Sequence, residues 1–241
     1  MRKQIKEIGA KLPPGHPQYA LVQQAYAAFR CDKPQDTESC TCCMDPDIRA
    51  DFFGPDIDAL PLYYVQDWYS GAYAPPLSHA LWAYLLPRVM EVVLCGEEPS
   101  GIGIEVTLRG ATGDPALWTQ AQWQVLDAFQ RAVFQMPPNA YQWSLDALIC
   151  AFVRGGWSVE ALWAQVLTWP DADLVRRLHR DWCCNAYLSI GVTAFWGKDM
   201  QMHARYRDPA LADRFEMFAY ACDTPVLADQ ALQVVEAIRR G

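Results

Sequence analysis

The sequence predicts an all-α protein, built as an irregular multi-helix array of antiparallel helical pairs, with a solenoid-like stack as one form of that array. Apolar residues recur at helical spacing through most of the chain, and aspartate or threonine precedes proline at several points where helices can begin. Only residues 102–108 (IGIEVTL) have a strand-like composition. Because one strand has nothing to pair with, we expect an irregular segment or a helical turn there.

The clearest periodicity lies near the end of the chain. One apolar stripe comprises Leu211, Phe215, Phe218 and Cys222, and the next comprises Leu227, Ala231, Val234 and Ile238. Each stripe lines one face of a helix, and the short link between them, residues 223–225, folds the two helices into an antiparallel pair. Three similar stripes precede them, within residues 118–136, 143–152 and 159–167.

The sequence also indicates where helices begin and where they are interrupted. Asp45-Pro46, Asp114-Pro115, Asp208-Pro209 and Thr224-Pro225 each place a capping oxygen before a proline, which has no N–H group to leave unpaired. Pro87 lies inside the apolar stretch of residues 77–95, so it should kink that helix or begin a second one. Pro137-Pro138 is the best internal break, but apolar helices flank it on both sides. We therefore predict a single helical domain over residues 1–241.

Negative charge is concentrated in one segment. The chain has a net charge of −8, and the nine acidic and two basic residues between Asp32 and Asp67 account for −7 of it. An acidic chain is a poor candidate for non-specific nucleic-acid binding, whereas a local negative surface can attract a basic protein. The candidate partner-binding residues are Asp45, Asp47, Asp51, Asp56, Asp58 and Asp67. The alternative is a solvated acidic loop without a partner.

The sequence also predicts the cellular compartment of the protein. The N-terminal stretch, residues 1–15 (MRKQIKEIGAKLPPG), is basic and lacks an apolar segment of signal-peptide length. No stretch approaches the ~18 consecutive apolar residues of a membrane span. We therefore expect a cytoplasmic protein with no membrane partner, in which cysteines remain as thiols or bind a metal.

The strongest candidate site lies in an acidic, cysteine-rich loop at about residues 31–58. Cys31, Cys40, Cys42 and Cys43 could close a tetrahedral structural zinc site, because thiolates are zinc ligands, and metal binding would then order the loop. The spacing differs from two separated CxxC elements, and the adjacent Cys42 and Cys43 are awkward joint ligands. A ligand from elsewhere, such as His179 or Cys183, is one alternative. Reduced structural cysteines and a redox-active pair are the others.

The same region carries a succession of recognisable elements. Residues 40–46 (CTCCMDP) are followed by Trp68 and then by residues 83–92 (AYLLPRVMEV). This succession, over about residues 38–95, resembles a bacterial family of uncharacterised helical proteins with a CxCC element near the start and a later LPR…E helix. The chain departs from that family in a longer loop before Cys40 and in inserted residues at 73–76. The resemblance implies an all-helical fold, no established chemistry, and cysteines that act together.

A second candidate site, which combines cysteine with histidine, lies at residues 179–184 (HRDWCC). On an α-helix His179 and Cys183 are four positions apart and share a face. They could therefore form a nucleophile with its base, or two metal ligands. Arg176 and Arg180 in the same stretch favour the simpler interpretation of a solvated basic face.

No P-loop, GxSxG or HExxH element is present in the sequence. The leading hypothesis is a non-enzymatic protein-binding module, a bacterial immunity protein that neutralises a cognate toxin with a basic cleft. One alternative is a thiol- or metal-dependent enzyme that uses Cys40, Cys42 and Cys43, or His179 with Cys183. The other is a zinc-stabilised helical scaffold. The expected cofactor is accordingly none, or a structural zinc ion.

Overall fold

The computed structural model describes residues 7–72, 77–111, 113–137, 140, 142–184, 190–196 and 201–240. All regular structure in these residues is helical and none of it is strand, which confirms the predicted all-α class. The strand-like stretch at residues 102–108 contains a 3₁₀ turn, Ile104–Val106, as expected for a segment without a pairing partner. Pro138 and the predicted insertion at residues 73–76 lie outside the described residues.

The chain divides into two compact units. The first comprises Met1–Tyr141 and Arg154–Trp157, and the second comprises Gln142–Val153 and Ser158–Gly241. The break expected at Pro137 lies close to the point where the chain leaves the first unit, while the single-domain organisation stays a prediction. Within the described ranges, no helix is both long enough and apolar enough to cross a bilayer.

The described residues of the first unit form the helices α1 (Tyr19–Ala28), α2 (Pro46–Asp51), α3 (Leu62–Ala72), α4 (His79–Leu94) and α5 (Gln120–Gln135). Short 3₁₀ turns lie at Ile57–Ala59, Ile104–Val106 and Pro115–Leu117. Two predicted caps are confirmed here. The Asp45 carboxylate accepts the N–H groups of Asp47 and Ile48 at 2.8 and 3.2 Å, and the Asp114 carboxylate accepts that of Ala116 at 2.9 Å.

α4 is the most deeply buried helix of the first unit. Nearly every residue from Leu81 to Leu94 is buried. Pro87 lies inside this helix, which continues to Leu94, so the prediction that Pro87 begins a second helix is wrong. The proline removes one backbone hydrogen bond, and burial on all sides of the helix outweighs that loss.

A buried ion pair on α4 fastens the chain segment that precedes α1. The Arg88 and Glu91 side chains have exposed fractions of 0% and 1%, and Arg88 Nη1 lies 3.0 Å from Glu91 Oε2. The guanidinium also donates to the carbonyl oxygens of Ile8, Gly9, Ala10 and Leu60, at 2.7 to 3.1 Å. Glu91 accepts from the Lys11 ammonium, the Leu12 N–H and the Tyr26 hydroxyl, at 3.0, 3.2 and 2.7 Å. Arg88 and Glu91 are the charged residues of the LPR…E run, and both serve the packing of this unit.

Among the described residues, the helices of the second unit are α6 (Leu145–Arg154, whose last residue belongs to the first unit), α7 (Val159–Leu167), α8 (Asp171–Leu178), α9 (Gln201–Tyr206), α10 (Pro209–Ala221) and α11 (Pro225–Arg240). α8 continues into a π-helical turn, His179–Cys183. α10 and α11 pack against each other, as the two C-terminal stripes predicted, and α11 also packs on α8 and the π turn. Asp208 confirms the third predicted cap, since its carboxylate accepts the Ala210 N–H at 2.9 Å.

The predicted basic face around α8 is only partly solvated. Arg176 is about half exposed and pairs with Asp173 at 3.1 Å. Arg180 has an exposed fraction of 30% and lies 2.7 Å from a carboxylate oxygen of Asp181, whose side chain is 5% exposed. Arg177 is 1% exposed and contacts the same carboxylate at 3.1 Å. Asp181 therefore pairs with Arg180 of the predicted face and with the neighbouring buried Arg177, which helical spacing alone did not indicate.

Candidate functional site

The cysteine-rich loop is held in place by contacts with α3. The indole N–H of Trp68 donates to the Thr37 carbonyl at 2.9 Å, and the backbone N–H of Cys40 donates to the Gly71 carbonyl at 2.7 Å. Thr37, Ser39 and Met44 are buried, and Arg49 donates to the Ser39 carbonyl. These contacts account for the order of the loop. The sequence had suggested metal binding as the cause of that order.

Gly71 allows the loop to approach α3 this closely. A Cβ atom at position 71 would lie 3.1 Å from the Cβ atoms of both Ser39 and Met44 and 3.4 Å from the Cys40 carbonyl oxygen. These distances are shorter than the optimum of about 3.5–4.0 Å for carbon contacts. Glycine therefore permits the Cys40 turn to rest on the helix, and no pattern in the sequence indicated this role.

A tight turn brings three thiols together on the surface. The backbone N–H groups of Cys43 and Met44 both donate to the Cys40 carbonyl at 3.3 Å. Cys40 Sγ lies 2.8 Å from Cys42 Sγ, Cys42 Sγ lies 3.5 Å from Cys43 Sγ, and all three sulfur atoms lie within 4.8 Å of one another. Sulfur atoms bound tetrahedrally to one zinc ion at about 2.3 Å are about 3.8 Å apart. The group can therefore hold a metal ion after small rotations, and the adjacent Cys42 and Cys43 both belong to it.

The thiols of this group differ in acidity. The side chain and backbone of Cys42 donate hydrogen bonds that stabilise a thiolate at Cys40 and lower the pKa of Cys40 to about 7. The contact with the Cys42 thiol, together with the negative charge that develops at Cys40, raises the pKa of Cys43 to about 11. A metal ion would have to displace the Cys43 proton, so binding at this site must be pH-dependent.

Cys31 lies outside this group of three sulfur atoms. Lys33 donates to the carbonyl oxygens of Phe53, Gly54 and Pro55 at 2.9 to 3.3 Å, which ties the start of the loop to the chain after α2, whereas Cys40 is tied to α3. Cys31 instead lines a cavity of about 220 Å³ together with Tyr26, Asp58 and Tyr84. Burial and the neighbouring Asp32 raise the pKa of the Cys31 thiol.

The six aspartates proposed for partner binding divide into two groups. Asp45, Asp51 and Asp67 support local structure: Asp45 caps α2, Asp67 accepts the Asp45 N–H at 2.9 Å, and Asp51 accepts the Tyr64 hydroxyl at 2.8 Å. Asp47, Asp56 and Asp58 are exposed, and Asp56 pairs with Lys33 at 3.3 Å. Asp45 is also exposed, so it can serve as a cap and still present a carboxylate oxygen to solvent.

The second candidate region has a different geometry from the one predicted. The π turn at His179–Cys183 adds a residue to the helical period, and the Cys184 N–H donates to the His179 carbonyl at 3.2 Å. His179 Nδ1 consequently lies 3.6 Å from the Sγ atom of Cys184, whereas the α-helical spacing predicted Cys183 as its partner. Cys183 is half-buried, and burial raises its pKa to about 11.

No protein-family model, curated protein or solved structure matches this chain. The resemblance to a helical family with a CxCC element therefore stays a prediction. The fold and the site define an all-helical, cysteine-rich chain with a surface group of three thiols that can hold a metal ion.

Proposed function

We propose that this protein binds zinc at its surface through Cys40, Cys42 and Cys43. The observation that carries the proposal is the convergence of three sulfur atoms within 4.8 Å of one another on a turn whose backbone is held by α3. Thiolates are strong zinc ligands, and a turn that is already folded reduces the cost of bringing them together.

The proposed site is an exchangeable one with an open coordination position. Three protein ligands leave the fourth position of a tetrahedral ion to water or to a ligand from another molecule, which is typical of zinc sites that do more than stabilise a fold. Cys42 and Cys43 are exposed, so such a ligand can reach the ion. Because the thiols must stay reduced to bind zinc, the proposal also assigns the protein to a reducing compartment such as the cytoplasm.

A cobalt titration tests the zinc proposal. Reduced protein should bind one Co²⁺ per chain with thiolate-to-metal charge-transfer absorption, and Zn²⁺ should displace it. Changing any one of Cys40, Cys42 and Cys43 to serine should weaken binding by more than about 100-fold, since even the loss of groups that only support metal ligands costs 10- to 100-fold.

Cys31→Ser is the matched control for the zinc proposal. Its affinity for Co²⁺ should equal that of the unaltered chain, because Cys31 lies outside the group of three sulfur atoms. The zinc proposal fails if the unaltered chain binds no Co²⁺, or if Cys31→Ser weakens binding as much as Cys43→Ser does.

A second proposed function is recognition of a basic protein by the acidic segment, as in an immunity protein that covers the basic cleft of a toxin. The supporting observation is that Asp45, Asp47, Asp56 and Asp58 are all exposed within a segment that carries −7 of the net charge of −8. Negative charge in one region speeds association with a basic partner.

The partner is sought among basic proteins in extracts of the source cell and in the product of the neighbouring gene. A chain with all four exposed aspartates changed to asparagine should associate about tenfold more slowly at low salt. Asparagine at position 45 keeps the cap on α2. The matched control is Asp213→Asn, Asp223→Asn, Asp229→Asn and Glu236→Gln in the second unit. Recovery of no basic protein, together with no protection against the neighbouring gene product, would contradict this function.

A further inference from the structure

His179 is the second member of a chain of side-chain contacts that no proposed function uses. Its Nδ1 atom lies 3.6 Å from Cys184 Sγ, and its Nε2 atom lies 2.9 Å from Gln233 Oε1 on α11. Gln233 Nε2 in turn donates to Asp229 Oδ2 at 2.7 Å. The order cysteine, histidine, amide and carboxylate is that of a thiol with a base whose orientation is set by further groups.

The hydrogen bonds determine which nitrogen of His179 carries the proton. A carboxylate oxygen only accepts hydrogen bonds, so the amide nitrogen of Gln233 must face Asp229. The amide oxygen then faces His179, and the Nε2 atom of the ring must donate to it. In the neutral ring this leaves the lone pair on Nδ1, the atom that faces the Cys184 sulfur. His179 is therefore oriented to accept the proton of the Cys184 thiol.

We propose that Cys184 is a nucleophilic thiol, activated by His179, and that it is a modification site for small disulfides. The thiol proton moves to His179 Nδ1, and the Cys184 sulfur attacks one sulfur of the disulfide. A new S–S bond forms as the old one breaks, and the second sulfur of the small molecule leaves as a thiolate, which takes the proton from His179. The products are a mixed disulfide at Cys184 and one free small thiol.

Thiol–disulfide exchange is the reaction for which these groups suffice. It needs a thiolate, a proton acceptor and access for a disulfide, but no oxyanion hole. Cys184 is exposed, so a disulfide can approach its sulfur atom. The adjacent Cys183 is half-buried and burial keeps it protonated at neutral pH, so the two neighbouring thiols should differ in reactivity. The site lies entirely within the second unit and does not depend on zinc binding.

The experiment measures the rate at which each cysteine of the full chain reacts with 2,2′-dithiodipyridine, by mass mapping of the modified peptides. Cys184 should react faster than both Cys183 and the exposed Cys31. His179→Ala should slow the reaction of Cys184 by about tenfold or more. Gln233→Ala should also slow it. The double change Gln233→Glu with Asp229→Asn should restore it, because the carboxylate at position 233 accepts the proton on Nε2 and the amide at position 229 donates to that carboxylate.

Gln230→Ala, on the same helix, is the control and should leave the rate at Cys184 unchanged. Retention of the rate in the double variant, alongside its loss in Gln233→Ala, assigns Gln233 as a positioning residue, because a merely structural role would make these variants alike. Equal rates at Cys184 in the unaltered chain and in His179→Ala would overturn the proposal. Equal losses in Gln233→Ala and in the double variant would overturn it as well.

Discussion

The thiols of Cys40 and Cys43 are three positions apart in the chain and occupy one turn, yet they hold protons very differently. Cys40 receives hydrogen bonds that stabilise its thiolate, which lowers its pKa to about 7, whereas the pKa of Cys43 is raised to about 11. Neither thiol is buried deeply enough for desolvation to be the leading cause. Local hydrogen bonding among the sulfur atoms therefore determines which thiol ionises first.

This difference predicts two separate pH dependences of alkylation. A thiol reacts as the thiolate, so its alkylation rate rises as the pH passes its pKa. Iodoacetamide should label Cys40 with a midpoint near pH 7, whereas Cys43 should become reactive only as the pH approaches about 11. Rates are measured in metal-free protein by fragment-ion mass spectrometry. Cys42→Ala removes the donating thiol and should move the Cys40 midpoint upward, and a shared midpoint for Cys40 and Cys43 would contradict the assignment.

The cysteine that contacts His179 does not follow from α-helical residue spacing. An α-helical period joins position 179 to position 183, and on that basis Cys183 was the predicted partner. The π turn shifts the pairing by one residue, so Cys184 lies next to the imidazole. π turns are rare and depend on packing around the helix, and no local pattern in residues 179–184 indicates one.

α4 shows how one helix organises a larger part of the chain. Its buried Arg88 makes hydrogen bonds with four carbonyl oxygens in two other segments and pairs with Glu91 one turn later. Periodicity and composition placed an apolar helix here, and the resemblance drew attention to the LPR…E run. The role of these charged residues depends on segments that are far away in the chain, and so the sequence did not indicate it.

Arg88→Ala should lower the free energy of unfolding by about 3–5 kcal/mol, because it leaves the Glu91 carboxylate buried with fewer partners and several carbonyl groups without donors. Arg88→Lys should recover little of this loss, since an ammonium lacks the planar fork of donors. Chemical denaturation followed by circular dichroism measures both variants. Arg131→Ala breaks an exposed pair with Asp127 and should cost less than about 0.5 kcal/mol. A loss for Arg88→Ala as small as that of Arg131→Ala would show that the buried pair is dispensable.

Considered as a whole, the molecule carries its charge and its thiols unevenly. Residues 32–67 hold −7 of the net charge of −8, and Cys40, Cys42 and Cys43 lie in the same segment. The zinc and partner-binding proposals therefore concern one segment of the first unit, residues 32–67. The proposed disulfide exchange concerns only the second unit.

The all-helical class and the Asp-Pro helix starts followed from the sequence, because apolar spacing and capping are properties of neighbouring residues. The sequence also placed Cys40, Cys42 and Cys43 within four consecutive residues, and their sulfur atoms do lie close together. The tertiary structure determined that Cys31 lies elsewhere, that Gly71 and Trp68 hold the loop, and that His179 faces Cys184. These facts depend on contacts between segments distant in the chain or on a change of helical period. The free energy of packing between these segments determines such features, and a pattern of neighbouring residues does not reveal them.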